Sequence, residues 1–301
     1  MSPRPRTAII LNASSGDGSA EAAEAMLESM FTDAGHDVEI TLVRSGDDIR
    51  HAVECALAVG SQCIVAGGGD GTLNGVVQHL LDHDVTLGVL PLGTLNHFAK
   101  DLGIPLAMAD AARVVLDGVT VRVDVGEVNG RVFLNNSSLG MYPRIVQLRE
   151  RYQARGLAKW IVATWATLRV MDASRTLRVR ITIDGHAGVR HTPLVFVGNN
   201  EYRMQGFDAG SRPSLAEGQL ALYVVKTEGR WHLLRLVWRI LASTAQRSGE
   251  LALMQAREAI IDTESVQLSV AVDGEVESIA APLRYRIRPG ALAVRVPTPE
   301  H

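Results

Sequence analysis

Several features are missing from this sequence, and each absence narrows what it can be. Only two cysteines, Cys55 and Cys63, occur in 301 residues, which excludes a disulfide scaffold and a cysteine-rich metal site. Both sit among apolar neighbours and read as buried free thiols. No stretch approaches the roughly 20 consecutive apolar residues of a membrane-spanning helix. The opening MSPRPRTAIILN lacks the apolar core of an export signal, so the expectation is a cytoplasmic protein. Internal repeats and low-complexity segments are absent, which leaves an ordinary globular chain. Two phosphate-binding signatures are missing as well. There is no G-x-x-x-x-G-K-[ST] loop, and the glycine-rich stretch carries Thr72 where a dinucleotide fingerprint has its third glycine.

What is present suits a chain of two ordinary-sized domains. The chain is 47% hydrophobic and 21% charged, enough for a sizeable core. Its net charge of −3 hides a split. Acidic residues dominate as far as Thr120, with Glu21, Glu24, Asp33, Asp37, Asp47 and Asp48 among them. From Tyr142 to Arg180 the balance reverses, with nine Arg and Lys against Glu150 and Asp172. Such a basic region suits nucleic acid or an anionic membrane face.

The chain is organised around Ser61–Asn74, SQCIVAGGGDGTLN. Cys63–Ala66 reads as a buried strand, three glycines follow, and from Leu73 the residues Val76, Val77, Leu80 and Leu81 recur at helical spacing. A strand feeding a helix through glycines leaves backbone N–H groups free to hold an anion such as a nucleotide phosphate. A tight turn alone also explains three glycines. Two things argue for more: Asp70 inside the loop, and the second loop Gly93-Thr94-Leu95-Asn96 after the apolar strand Thr86–Leu90. Two parallel strands then end in phosphate-competent loops on the sheet edge where open α/β folds bind ligands.

GGGDGTLN followed by PLGTLNHFAKDLGIP resembles the diacylglycerol kinase catalytic-domain family, most closely its soluble bacterial lipid kinases, relatives of sphingosine kinases. NASSG at Asn12–Gly16, DVGEVNGRVFLNNSSLG at Asp124–Gly140, LAEGQLALYVVK at Leu215–Lys226 and VDGE at Val272–Glu275 extend the resemblance over nearly the whole chain. NAD kinases share the GGDG loop, but the GTLNHFAKDLGIP and late DGE segments fit lipid kinases better.

Taken in order, Thr7–Leu11 reads as a strand, 20–34 as a helix, His36–Val43 as a strand and Asp47–Val59 as a helix. The two glycine loops follow, then a helix over Ala107–Leu116. Alternating strands and helices predict a doubly wound parallel sheet. After Gly118 come short β-branched runs: Thr120–Val128, Arg131–Asn136, Thr176–Ile183, Thr192–Gly198, Gln219–Val225, Ser265–Val272 and Arg284–Ile287. Turn signals such as Asn129-Gly130 and Asp184-Gly185 separate them, as in an antiparallel β-sandwich. The expected division is an α/β nucleotide-binding domain over 1–122, to which 290–301 returns, and a β-rich lipid-substrate domain over 123–289. Two amphipathic helices interrupt the strands, Leu157–Met171 and Trp231–Leu241. Arg149, Arg151, Arg155 and Lys159 lead into the stripe of the first that contains Trp160 and Trp165, an arrangement that suits an anionic membrane surface or simple packing.

The resemblance implies an ATP- and magnesium-dependent kinase acting on a lipid hydroxyl, of diacylglycerol or sphingoid type. It implies ATP contacts from Asn12, Ser15, Gly16, Gly67, Gly68, Gly69, Asp70, Gly71, Thr72, Asn74, Gly93, Thr94 and Asn96. It also implies a proton acceptor at Glu275 beside Asp273 and Asp70, and magnesium candidates at Asp124 and Glu217. The expected partners are a lipid substrate, the inner face of an anionic membrane and a second copy of the chain, with no nucleic acid. Three positions depart from the family pattern: Ala13 for proline, His97 for aspartate, and Glu217 for aspartate. An NAD kinase-like enzyme and a non-catalytic, nucleotide-gated lipid-binding regulator are the alternatives.

Overall fold

A computed structural model describes residues 5–14, 20–140, 143, 177–203, 210–225 and 251–299. The chain divides into two compact units, Met1–Asp124 with Gly290–His301, and Val125–Pro289.

In the first unit β1 (Arg6–Asn12), α1 (Ala20–Asp33), β2 (Asp37–Val43), α2 (Gly46–Ala58), β3 (Cys63–Gly68), α3 (Asp70–Leu80), β4 (Thr86–Pro91), α4 (His97–Asp101) and α5 (Met108–Asp117) alternate along the chain. The strands pair in the order β2-β1-β3-β4, all parallel. β3 and β4 are buried along almost their whole length, which is why they read as unbroken apolar runs. α2 turns Ile49, Ala52, Val53 and Ala56 inward, and α3 does the same with Leu73, Val76, Val77 and Leu80. Each large aliphatic side chain so buried contributes about 1.5–3 kcal/mol. α2 starts at a reciprocal cap, with Asp48 N–H donating to Ser45 Oγ and Ser45 N–H to the Asp48 carboxylate. Gly88 sits in mid-strand because a Cβ there would stand 2.9 Å from both Val115 and Val65, so its absence lets α5 lie directly on β4.

The chain then runs through β5 (Val119–Val128), β6 (Arg131–Phe133), β7 (Asn136–Gly140), β8 (Leu177–Ile183), β9 (His186–Thr192), β10 (Leu194–Asn199), β11 (Leu220–Val225), β12 (Leu251–Ala256), β13 (Glu258–Thr263), β14 (Gln267–Val272), β15 (Glu275–Ala280) and β16 (Leu283–Val296). In the second unit β16, β13, β8 and β9 pair antiparallel in that order. A six-stranded antiparallel sheet runs β12-β11-β10-β7-β14-β15. Leu139, Val195, Val197, Leu222, Val224 and Val270 of that sheet share one core with Val179, Ile181, Ile261, Leu283 and Tyr285. Burial raises the Tyr285 phenol above its ordinary range; it stays neutral and shares a hydrogen bond with Ser137 Oγ, 3.1 Å away. The expected class is therefore the observed one, a parallel α/β domain followed by an antiparallel β-sandwich. The end of β16 belongs to the first unit, where Ala293 and Val294 pair parallel with Thr86 and Leu87 of β4.

Several local expectations change. Arg131–Asn136 is not one strand but the whole of β6 and the first residue of β7, with a break at Leu134 and Asn135. β9, β12, β13 and β15 are additional strands; charged and exposed positions in β9, β13 and β15 mask the alternation. Cys55 is exposed on α2 rather than buried. Burial pushes the Cys63 thiol up to about 12, which leaves it unreactive at neutral pH. The basic stretch Arg149–Lys159 and the helices expected over Leu157–Met171 and Trp231–Leu241 lie outside the described residues. Among the described residues no helix is long and apolar enough to cross a membrane.

Candidate functional site

In the first unit the glycine run is tighter than its sequence suggests. β3 ends at Gly68, Gly69 is the N-cap, and α3 already begins at Asp70. Gly71 and Thr72 are thus the first helical turn and not loop, and the first backbone bond of the helix is Leu73 N–H to Gly69 C=O, 3.1 Å. The first N–H groups of an α-helix have no partner within the helix itself. None of Gly67, Gly68, Gly69 or Gly93 has a positive φ. They are needed for close approach instead. A Cβ on Gly67 would collide with Leu11, one on Gly68 with the Thr72 side chain, and one on Gly93 with the backbone of Gly69. The two glycine loops are therefore pressed backbone to backbone at the ends of β3 and β4, neighbouring parallel strands.

Side chains lock this contact. Asn12 Nδ2, at the end of β1, donates to Thr72 Oγ1 at 2.9 Å. Buried Asn96 adopts φ 51°, and its side chain folds back on its own loop. Oδ1 accepts from Gly93 N–H at 3.0 Å, and Nδ2 donates to Gly93 C=O at 2.7 Å. With Asn96 so occupied, its side chain does not cap α4. Asp70 supplies the cap from the other loop, accepting the N–H groups of His97 and Phe98 at 3.3 Å each. This answers the question of why a carboxylate sits in a phosphate-competent loop: its oxygens face the amides of α4 and stabilise that helix start. His97 and Thr94 are exposed, and Asn74 is half-buried on α3. Ser15 and Gly16 lie outside the described residues.

In the second unit Val272-Asp273-Gly274-Glu275 is a two-residue hairpin between β14 and β15. Val272 stands opposite Glu275, and φ is 47° and 92° at the two turn residues, as a type I′ turn requires. Glu275 is exposed at the first position of β15. The Asp273 carboxylate points away from the turn and accepts three consecutive backbone N–H groups: Leu134 at 2.7 Å, Asn135 at 2.8 Å and Asn136 at 3.0 Å. Its own N–H donates to Asn136 C=O at 2.9 Å. The break between β6 and β7 presents these amides. On the carbonyl side, Asn199 Nδ2 and the buried Arg212 guanidinium both donate to Leu134 C=O, and Arg212 Nη2 reaches Asn135 Oδ1 at 2.8 Å. Asn135, Asn199 and Arg212 do not stand out in the sequence. A buried Asn-Asn pair at the end of an apolar strand is the signal that could have marked them.

The magnesium candidates are placed as follows. Asp124 is buried in the first unit, and its Oδ1 accepts Gly290 N–H at 2.8 Å, tying β5 to β16. Glu217 is exposed in the second unit, just before Gly218 at φ 68°. Among the described residues no group of three or more His, Cys, Asp or Glu converges as a metal site. A magnesium ion held through few carboxylates, several waters and substrate phosphates needs no such group.

Comparison with known proteins matches this two-part architecture. Residues 6–128 match the diacylglycerol kinase catalytic domain, and residues 136–296 match the YegS C-terminal NAD kinase beta sandwich-like domain. The chain is 29% identical to the diacylglycerol kinase of Bacillus subtilis over 279 residues, covering 90% of this chain and 89% of that one. It is 43% identical over 115 residues to a Pseudomonas aeruginosa protein named "Probable lipid kinase YegS-like", covering 38% of each. A solved structure of a candidate diacylglycerol kinase from Bacillus anthracis superposes with a TM-score of 0.78, at 25% identity and over 98% of both chains. With more than half of its length in the YegS C-terminal NAD kinase beta sandwich-like domain, and the diacylglycerol kinase catalytic domain matched ahead of it, the chain belongs to the family that carries these two domains.

Proposed function

We propose that the protein is a lipid kinase that moves the γ-phosphoryl group of ATP, with magnesium, onto the hydroxyl of a lipid. The observation that carries this reading is the backbone contact of Gly69 with Gly93, which sets two phosphate-competent loops side by side at one sheet edge. Phosphoryl transfer is mostly positioning and charge stabilisation, and amides at a helix start serve both. The amides of Gly71 and Thr72 in the first turn of α3 hold phosphate oxygens, and Asp70 keeps α4 and its loop in place. Magnesium, when bound, neutralises charge on the transferring group; Asp70 and Asp124 are the carboxylates of the first unit proposed to face its waters. The lipid oxygen forms a bond to the γ-phosphorus while the bond to the bridging oxygen of ADP breaks. Glu275 takes the hydroxyl proton, a role proposed from the family pattern and compatible with its exposure. Asp273 holds the turn that carries it. The acceptor is a membrane lipid, met on an anionic surface by the basic stretch Arg149–Lys159.

The test is incubation of the purified protein with γ-labelled ATP, magnesium, mixed-lipid vesicles and NAD. Label in the lipid phase supports the reading. Label in NADP would establish the NAD kinase alternative, and nucleotide binding without any labelled product the regulatory one.

A further inference from the structure

Arg212 is a buried cation in the polar cluster of the second unit, 4% exposed. It donates to three neutral acceptors: Leu134 C=O, Asn199 C=O at 3.2 Å, and Asn135 Oδ1. The guanidinium also lies 5.4 Å from the centre of the Tyr202 ring. The decisive detail is which peptide it holds. Leu134 C=O and Asn135 N–H belong to one peptide group. Its oxygen receives the guanidinium of Arg212, and its N–H is given to the carboxylate of Asp273. A positive and a negative side chain thus grip the two ends of a single peptide dipole, each polarising it in favour of the other. Both bonds are charge-assisted, about twice as strong as neutral ones. An arginine suits this place because its planar fork reaches two acceptors at once, which a lysine ammonium does not reproduce.

We propose that Arg212 is a positioning residue for the transfer reaction. Through the Leu134–Asn135 peptide it fixes the Asp273 carboxylate, and through Asp273 it fixes Glu275 two residues further on. The proposal rests on the kinase reading for the role of Glu275. The link itself rests only on hydrogen bonds within one unit. Arg212 touches no reacting atom in this scheme. It removes the freedom of the turn to swing, and a misplacement of about 1 Å can cost on the order of 10²-fold in rate.

The experiment compares wild type with Arg212→Lys and Arg212→Met, using turnover per folded molecule and amide hydrogen exchange. Arg212→Met is expected to lower kcat at least ~10-fold with KM for ATP unchanged, since the nucleotide loops lie in the other unit. Exchange is expected to accelerate in peptides covering Leu134–Asn136 and Val272–Val276, and not around Gly67–Thr72. Arg212→Lys keeps the charge but loses the fork, and is expected to recover part of kcat; it also serves if Arg212→Met does not fold. Unchanged exchange over Leu134–Asn136 overturns the link. Accelerated exchange with normal kcat overturns the positioning role. A wild type that phosphorylates no lipid overturns the kinase reading, and the exchange result then decides separately whether Arg212 holds the turn.

Discussion

Between β8 and β9 the chain turns through Asp184 and Gly185, with φ of 48° and 79°; between β14 and β15 it turns through Asp273 and Gly274, with φ of 47° and 92°. Both are two-residue turns with the same pair of residues, and both are followed by a polar residue, His186 or Glu275, at the head of the next strand. Locally they are one structure. They differ in what the aspartate meets. Asp184 bonds within its own hairpin, its carbonyl 3.1 Å from Nδ1 of the His186 ring. The Asp273 carboxylate is set against three amides of the β6–β7 break. The turn is therefore a local product of Asp-Gly, while the use made of it is decided by a distant segment, with Leu134 lying 139 residues away in sequence.

The largest expected difference is catalytic. Glu275→Gln preserves shape and removes the proposed proton acceptor, so kcat should fall by ~10²–10⁴, the usual range for a general base. His186→Gln, at the same place in the other hairpin, should leave kcat unchanged. Steady-state lipid phosphorylation by the two variants is the measurement. Near-normal turnover in Glu275→Gln would make the two hairpins functionally equivalent and remove the base assignment.

A smaller difference should appear in stability. Asparagine tolerates the left-handed turn conformation as well as aspartate does, so Asp→Asn isolates the carboxylate. In Asp273→Asn the new side chain would have to aim an NH2 group at backbone donors that now point at an oxygen, leaving one amide unpaired. Hydrogen bonds to charged groups are worth about 1.5–3 kcal/mol each, so Asp273→Asn should lose about 2–3 kcal/mol in urea denaturation. Asp184→Asn should stay within about 0.5 kcal/mol, as surface substitutions do. Equal losses would mean that the three amides are satisfied without Asp273.

This contrast also marks how far the sequence could be read. Its period-2 and period-3.6 patterns are short-range, and from them the α/β-then-β order, the strand–loop–helix unit at Gly67–Thr72 and the hairpins at Asn129 and Asp184 were all legible. Long-range side-chain bonds were not. Nothing near Asp70 indicates that it caps a helix starting at His97. The break at Leu134 and Asn135 looks like continuous strand, because the amides that require it bond to Asp273 and not to a neighbouring strand. The glycines were visible, but what selects them was not: the closeness of Leu11, Thr72 and the facing loop leaves no room for a Cβ at Gly67, Gly68 or Gly93. Gly68→Val should accordingly act by displacing Thr72 and its bond from Asn12.

The backbone half of the comparison should vanish under a third pair of variants. At Gly185 and Gly274 a Cβ would meet nothing within 4 Å, so Gly→Ala tests only the positive φ. Left-handed backbone costs a residue with a Cβ roughly 1–2 kcal/mol. Gly185→Ala and Gly274→Ala should lose that amount equally in denaturation. A clearly greater loss at Gly274 would show that the second turn is held under strain which the first is not.

The smallest effect comes from the third hairpin of this kind, Asn129-Gly130, with φ of 47° and 85°. Here the side chain must both give and receive. Asn129 Nδ2 donates to Ala280 C=O at 2.9 Å and Pro282 C=O at 3.2 Å, and Oδ1 accepts Arg284 N–H at 2.7 Å. A carboxylate could keep the accepted bond and lose both donated ones, facing two carbonyls with a negative charge. The surroundings are exposed, so water and salt weaken that repulsion, and each lost bond is worth only about 0.5–1.5 kcal/mol. At the low end of that range, which suits exposed bonds, the two losses together come to about 1 kcal/mol, so Asn129→Asp should cost less than Asp273→Asn, and the cost should be larger at low salt. The two substitutions are mirror images: the amide is required where the turn faces carbonyls, and the carboxylate where it faces amides. A neutral Asn129→Asp, measured by urea denaturation at two ionic strengths, would break that symmetry and leave Asp273 as the single turn residue whose side-chain chemistry matters.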